Sequence, residues 1–124
     1  MTIKKALMDL NTNTPNIIGA AVIRIDDGSV ISSSIHKKYN EDLVGCMTSS
    51  MMGIGERIAA ELMHSEVDRI YVQSPNGYVI VNDIGKDNAL IVLTSKDVRL
   101  GLVFFEIQKT KTEIEQHLKT NEFN

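Results

Sequence analysis

Apolar residues recur along this chain at two periods, and the switches between them mark the elements. Ile3, Ala6, Leu7 and Leu10 keep the spacing of one helical face, which predicts a short amphipathic helix at the N-terminus. Thr2 is placed to cap it. Residues 11–15 close it, because the position before Pro15 is biased against helix. Residues 17–25 are rich in β-branched side chains and end at Asp26-Asp27-Gly28. An Asp-Gly pair between two apolar runs predicts a hairpin, with residues 29–35 as the second strand.

Asn40-Glu41-Asp42 has the form of a helix start, a capping side chain followed by two carboxylates at the positive end of the dipole. The helix is predicted to run to about His64. Leu43, Met47, Met51, Ile54, Ile58 and Leu62 form one apolar row along it. Val44, Met52, Gly55, Ala59 and Met63 form a second row beside the first. Together the rows span an arc of roughly 200°, about twice what a helix lying on one sheet requires. Gly53 and Gly55 inside this helix each cost about 1 kcal/mol relative to alanine. Close packing against the chain's own sheet or against a partner helix would offset that cost, and the wide arc favours the partner. The methionines of this helix, Met47, Met51, Met52 and Met63, suit either a core or an adaptable binding surface.

Three more strands are predicted, over residues 67–74, 78–84 and 89–94. Pro75-Asn76-Gly77 joins the first two and Gly85-Lys86-Asp87-Asn88 the last two. A final helix starts near Val98, with Leu100, Val103, Phe104, Ile107, Ile114 and Leu118 along one side. From about Lys109 the chain reads as a polar tail that frays beyond Lys119. The predicted order is α-β-β-α-β-β-β-α. Hairpin connections make the sheet antiparallel, and helices must cover its apolar faces, so the class is α+β. No repeat or linker interrupts residues 1–124, and a single domain is expected.

Composition narrows the function. The formal net charge of −3 gives no surplus of positive charge for a nucleic-acid backbone. The longest apolar runs fall well short of the ~20 residues that cross a bilayer, and no signal peptide is visible. With one cysteine, Cys46, no disulfide can form within the chain. A soluble, cytoplasmic protein with no membrane insertion is expected. His36, His64 and His117 lie on different elements with no partner at metal-ligand spacing. Cys46 has no histidine beside it in sequence, so a buried structural thiol is expected rather than a nucleophile. Gly53-Ile54-Gly55 lies within a helix and is not a phosphate loop. Arg57 is four residues from Glu61, the spacing of a weak surface pair rather than of a finger delivered from a loop. Asp26 and Asp27 are explained by the turn. No enzyme activity, cofactor or metal is expected.

The stretch Asn16–Ser34, the Glu41-Asp42 opening of a long helix containing GIGERIAAEL, and the run GYVIVNDIG followed by ALIVLTSKDVRLGLVFFEI together resemble the roadblock/dynein light chain family, in the style of the MglB-like proteins of prokaryotes. The likeness covers about residues 6–107 and rests on the order and spacing of core and turn patterns. It implies a five-stranded antiparallel sheet flanked by helices, related to the profilin-like and longin folds. It also implies a homodimer, or a heterodimer with a related roadblock chain, formed through the long helix and the strand after it. On the second-row reading the interface is Val44, Met52, Gly55, Ala59 and Met63, with Ile70, Tyr71, Val72 and Gln73 from the strand. Family members bind Ras-like small GTPases as activators, exchange platforms or scaffolds. The leading expectation is therefore a non-catalytic dimeric regulator or scaffold of such a GTPase. The alternative is a small-molecule-sensing profilin-like domain, since fold does not fix function.

Overall fold

The computed structural model describes residues 2–122, with side chains described for residues 2–119. Its elements are α1 (Ile3–Asn13), β1 (Ile17–Arg24), β2 (Val30–Ser33), α2 (Glu41–Met63), β3 (Arg69–Ser74), β4 (Gly77–Ile84), β5 (Asn88–Ser95) and α3 (Leu100–Glu122), in the expected order. All strand pairings are antiparallel, and the five strands form one sheet in the order β2-β1-β5-β4-β3.

The predicted punctuation acts where expected. Thr2 Oγ1 accepts the Lys5 N–H at 3.1 Å, capping α1. Asn40 Oδ1 accepts the Leu43 N–H at 3.0 Å, capping α2. Gly28 has φ 72°, a value the β1–β2 turn requires and a side chain would resist. In the same turn the Asp27 carboxylate accepts both the N–H and the hydroxyl of Ser29, at 3.0 and 2.6 Å.

Helices cover both faces of the sheet. On one face, Leu7 and Leu10 of α1 and Val103, Ile107 and Ile114 of α3 pack on Val22, Ile80, Leu90 and Val92. On the other, Met52 of α2 packs on Ala21, Ile23, Val81, Ala89 and Ile91. Strands buried on both faces need apolar residues at successive positions, so β1 and β5 read as continuous apolar runs without alternation.

Some boundaries differ from expectation, and β3 begins at Arg69, two residues later than expected. β2 is only Val30–Ser33. Ser34 still donates its N–H to the Ala20 carbonyl at 2.8 Å, but its hydroxyl rather than its carbonyl takes the Ala20 N–H, at 3.0 Å. At the C-terminus, the polar stretch from Lys109 continues α3 and is packed, with Ile114 and Leu118 on its apolar side as expected. Thr110 and Ile114 are buried and Leu118 lies against the core. Lys111 Nζ meets Asp83 Oδ1 at 2.9 Å, and Glu115 accepts the Gly85 N–H at 2.8 Å. A narrow line of apolar residues suffices here, because this half of α3 buries one edge of its surface. The α3 backbone is helical to Glu122; the fraying expected beyond Lys119 otherwise falls outside the described residues.

Candidate functional site: an apolar helix flank and an open sheet edge

Two close approaches fix the path of α2. A Cβ on Gly45 would overlap the Gly28 carbonyl in the β1–β2 turn, and a Cβ on Gly55 would overlap Ile70 Cδ1 on β3. The helix therefore crosses the sheet from the β1–β2 turn to β3, which is an edge strand. The eight residues from Gly55 to Met63 add about 12 Å at 1.5 Å each. Continued along the same axis, the last two turns project past the β3 edge. Exposure rises accordingly, reaching 72% for both Leu62 and Met63.

This path sets where the expected interface residues lie. Val44, Met52 and Gly55 lie in or against the core that α2 forms with its own sheet, as does Ile70. Met52 and Gly55 are buried in that intramolecular packing, and Val44 is partly buried beside it. Gly55 is small because its own strand comes close. Of the second row, Ala59 is half-buried and Met63 is exposed, because by then the helix has passed β3. On β3, Tyr71, Val72 and Gln73 are exposed.

The first row is the exposed one. Leu43, Met47, Ile54, Ile58 and Leu62 stand out from the protein, Ile54 at 62%, while Met51 is half-buried. On a helical projection the row is centred roughly 170° from Ser49. Ser49 Oγ donates to the Ile25 carbonyl, at the sheet end that carries the β1–β2 and β4–β5 turns. The apolar flank thus faces the opposite end. There Val72, Val79 and Leu93 are direct neighbours on β3, β4 and β5. Val79 and Leu93 are only partly buried, and Val72 is 50% exposed. An apolar helix flank and a half-bare strip of sheet make one concave surface.

Beside it lies the open edge of β3. The Asp68 carbonyl accepts the Asp83 N–H, at 3.2 Å, so Asp68 points its backbone groups into the sheet. The β3–β4 register has no shift, and alternate residues share direction, so the N–H and C=O groups of Tyr71 and Gln73 point outward. The other edge, β2, has four residues, and Lys4 Nζ donates to its Ser33 carbonyl. Short length and a lysine protect that edge; β3 has neither device. On the α3 side, β3 is braced by Arg69, whose guanidinium lies 4.1 Å from the Phe104 ring centroid. Tyr71 also packs on that ring, at 5.7 Å between centroids.

The candidate chemistry does not converge. His36, His64 and His117 are on separate segments, and among the described residues no group of three His, Cys, Asp or Glu could hold a metal. Cys46 is exposed on α2, not buried as expected, because it lies on the helix side away from the sheet. Arg57 pairs with Glu61 at 3.8 Å, both exposed.

A family model for the Roadblock/LC7 domain matches residues 3–94. The chain belongs to the Roadblock/LC7 family. This Roadblock/LC7 chain is 32% identical over 112 residues to an uncharacterised protein of Methanocaldococcus jannaschii, spanning 90% of this chain and 96% of the relative. The Roadblock/LC7 domain from Streptomyces avermitilis has the same fold, with a TM-score of 0.87 at 16% identity over 94% of this chain and 97% of that one. Myxococcus xanthus MglB matches with a TM-score of 0.87 at 18% identity, over 95% of each chain. The likeness extends to profilin IB of Acanthamoeba castellanii, at 0.67 and 13% identity over 94% of this chain and 98% of that one. The Roadblock/LC7 fold seen here is thus profilin-like.

The sequence signal for the exposed row was present in the width of the apolar arc. What it lacked was the helix's rotation about its own axis. Gly45, whose contact with the β1–β2 turn sets that rotation, was not singled out at all.

Proposed function

We propose that this chain is a non-catalytic binding module, one domain over residues 1–124, that dimerises and regulates or scaffolds a Ras-like small GTPase in the cytoplasm. The observation that carries the reading is the exposed apolar row of α2 beside the open β3 edge. No helix among the described residues is long and apolar enough to cross a membrane, so a protein surface is the natural cover for that row. Family membership supports the choice of a GTPase as client.

The row is self-complementary. Its midpoint falls between Met51 and Ile54, so two antiparallel copies of α2 set Leu43 against the partner's Leu62 and Met47 against its Ile58. The same two-fold axis brings the Tyr71 and Gln73 backbone groups of both β3 edges together. Light-scattering mass of the purified chain and of Ile54→Arg tests this. A dimeric parent and a folded monomeric variant are expected, since position 54 is exposed in the single chain; a monomeric parent at micromolar concentration overturns it. Titration of the dimer against Ras-like GTPases loaded with GDP or a GTP analogue tests the client, and absence of binding in both states removes it.

Small-molecule sensing is the second reading. The observation favouring it is a cavity of about 470 Å³ between β2 and the start of α2. Thermal stabilisation by a member of a metabolite panel would move this reading to the front.

A further inference from the structure

The same cavity has a feature that the dimer reading explains. Ala21, Val30, Ile35, Val44 and Ser33 line it, together with polar residues between His36 and Asp42 up to the first turn of α2. At the other end of α2, Met63 is an apolar side chain with 72% of its surface exposed. On the helical projection Met63 lies within about 50° of the direction in which Met52, Gly55 and Thr48 face the sheet. It therefore points toward the plane of the sheet, but beyond the edge of its own.

We infer that the cavity is a socket for Met63 of a second copy of this chain. The inference rests on the antiparallel α2 pairing proposed above. That pairing is centred near residue 52, so Met63 of one copy falls opposite residues 42 and 43 of the other, alongside the cavity rim. There it faces down onto the partner's sheet. An unbranched thioether among these Ala, Val and Ile side chains can adapt its shape to the opening. Two such contacts, one at each end of the helix pair, complete the α2-side core of each copy with a residue from its partner. They also account for an exposed methionine at the tip of a helix that has run past its own sheet.

The test uses full-length chains in which Cys46→Ser removes the native thiol. One chain carries Met63→Cys, and another carries Ile35→Cys or, as a second version, Val44→Cys. The chains are mixed, and a short bifunctional maleimide is added after their masses are measured. Covalent dimers are expected in the mixtures and not from Met63→Cys alone, because antiparallel pairing holds the two copies of position 63 about 32 Å apart. Dimeric mass without mixed cross-links overturns the socket and leaves the dimer standing. Cross-linking of Met63→Cys to itself overturns the antiparallel register. Monomeric mass overturns the dimer reading and the socket together. In a second readout, the Ile35→Cys thiol should react with a small maleimide at least tenfold more slowly in the dimer than in the Ile54→Arg background. Equal rates mean an open cavity, available to a diffusible ligand instead.

Discussion

Glycines of α2 sit in different surroundings, and each sets a different cost for a side chain. A Cβ at Gly45 would run into the backbone of Gly28, which has no rotamer with which to yield. Gly45→Ala should lower stability by about 1–3 kcal/mol through overpacking. A Cβ at Gly53 meets nothing within 4 Å, so Gly53→Ala should raise stability by about 1 kcal/mol from helix propensity. Urea denaturation of the two variants beside the parent gives both signs in one experiment. Sequence reasoning could price Gly53 and Gly55 but not tell them apart, because the difference lies in what a distant strand or turn does. Asp27 shows the opposite case, where local spacing is enough. Hydrogen bonds from the Ser29 hydroxyl and then from its N–H hold the Asp27 carboxyl below the ordinary carboxylate value, with a smaller contribution from Arg24. A pKa depressed in the folded state stabilises it above the unfolded pKa, and that contribution is lost as pH falls through the folded value. An NMR titration should place the Asp27 midpoint below the ordinary carboxylate value, and Ser29→Ala should move it upward. An unmoved midpoint would mean that the serine is not its cause.

At the scale of elements, α2 and β3 are each half used. One side of α2 builds the chain's own core and another is left bare; β3 pairs with β4 on one side only. The two halves can be separated by a proline. The Gln73 N–H points outward, so Gln73→Pro removes no bond of the β3–β4 ladder while it removes a donor from the open edge. The variant should keep the parent's far-UV circular dichroism and weaken the dimer at least tenfold, read by sedimentation at graded concentrations. Loss of the folded signal would place that N–H inside the ladder, and an unchanged dimer would exclude the β3 edge from the interface. The existence and type of all eight elements were legible from period and punctuation. The extents of β2 and α3 were not. β2 is cut short where the Ser34 hydroxyl takes the place of its carbonyl. α3 packs through its polar stretch because Thr110 is buried beside the Ile114 and Leu118 already expected on its apolar side.

For the whole molecule, the proposed dimer, with an interface that completes part of the core, would tie folding to association. Unfolding then depends on protein concentration, and each tenfold dilution should lower the Tm by on the order of 3 °C. Ile54→Arg should abolish that dependence. A parent Tm independent of concentration would show that the single chain is the unit of stability. What the sequence by itself determined was the α+β class, the antiparallel connections, the caps and turns, and the surplus of apolar surface on the long helix. All of these are set within a few residues of chain, by backbone preference and by the period of the side chains. Only the tertiary structure decided which side of that helix remains uncovered. The two rows are both apolar, though the second carries small Gly55 and Ala59, and they differ by a rotation of the helix about its axis. That rotation is set by contacts between residues far apart in sequence, Gly45 against Gly28 and Gly55 against Ile70, where the absence of a side chain on one partner lets the backbone close in. Val44, Met52 and Gly55 were thereby turned toward the sheet, and Leu43, Met47, Ile54, Ile58 and Leu62 were left exposed.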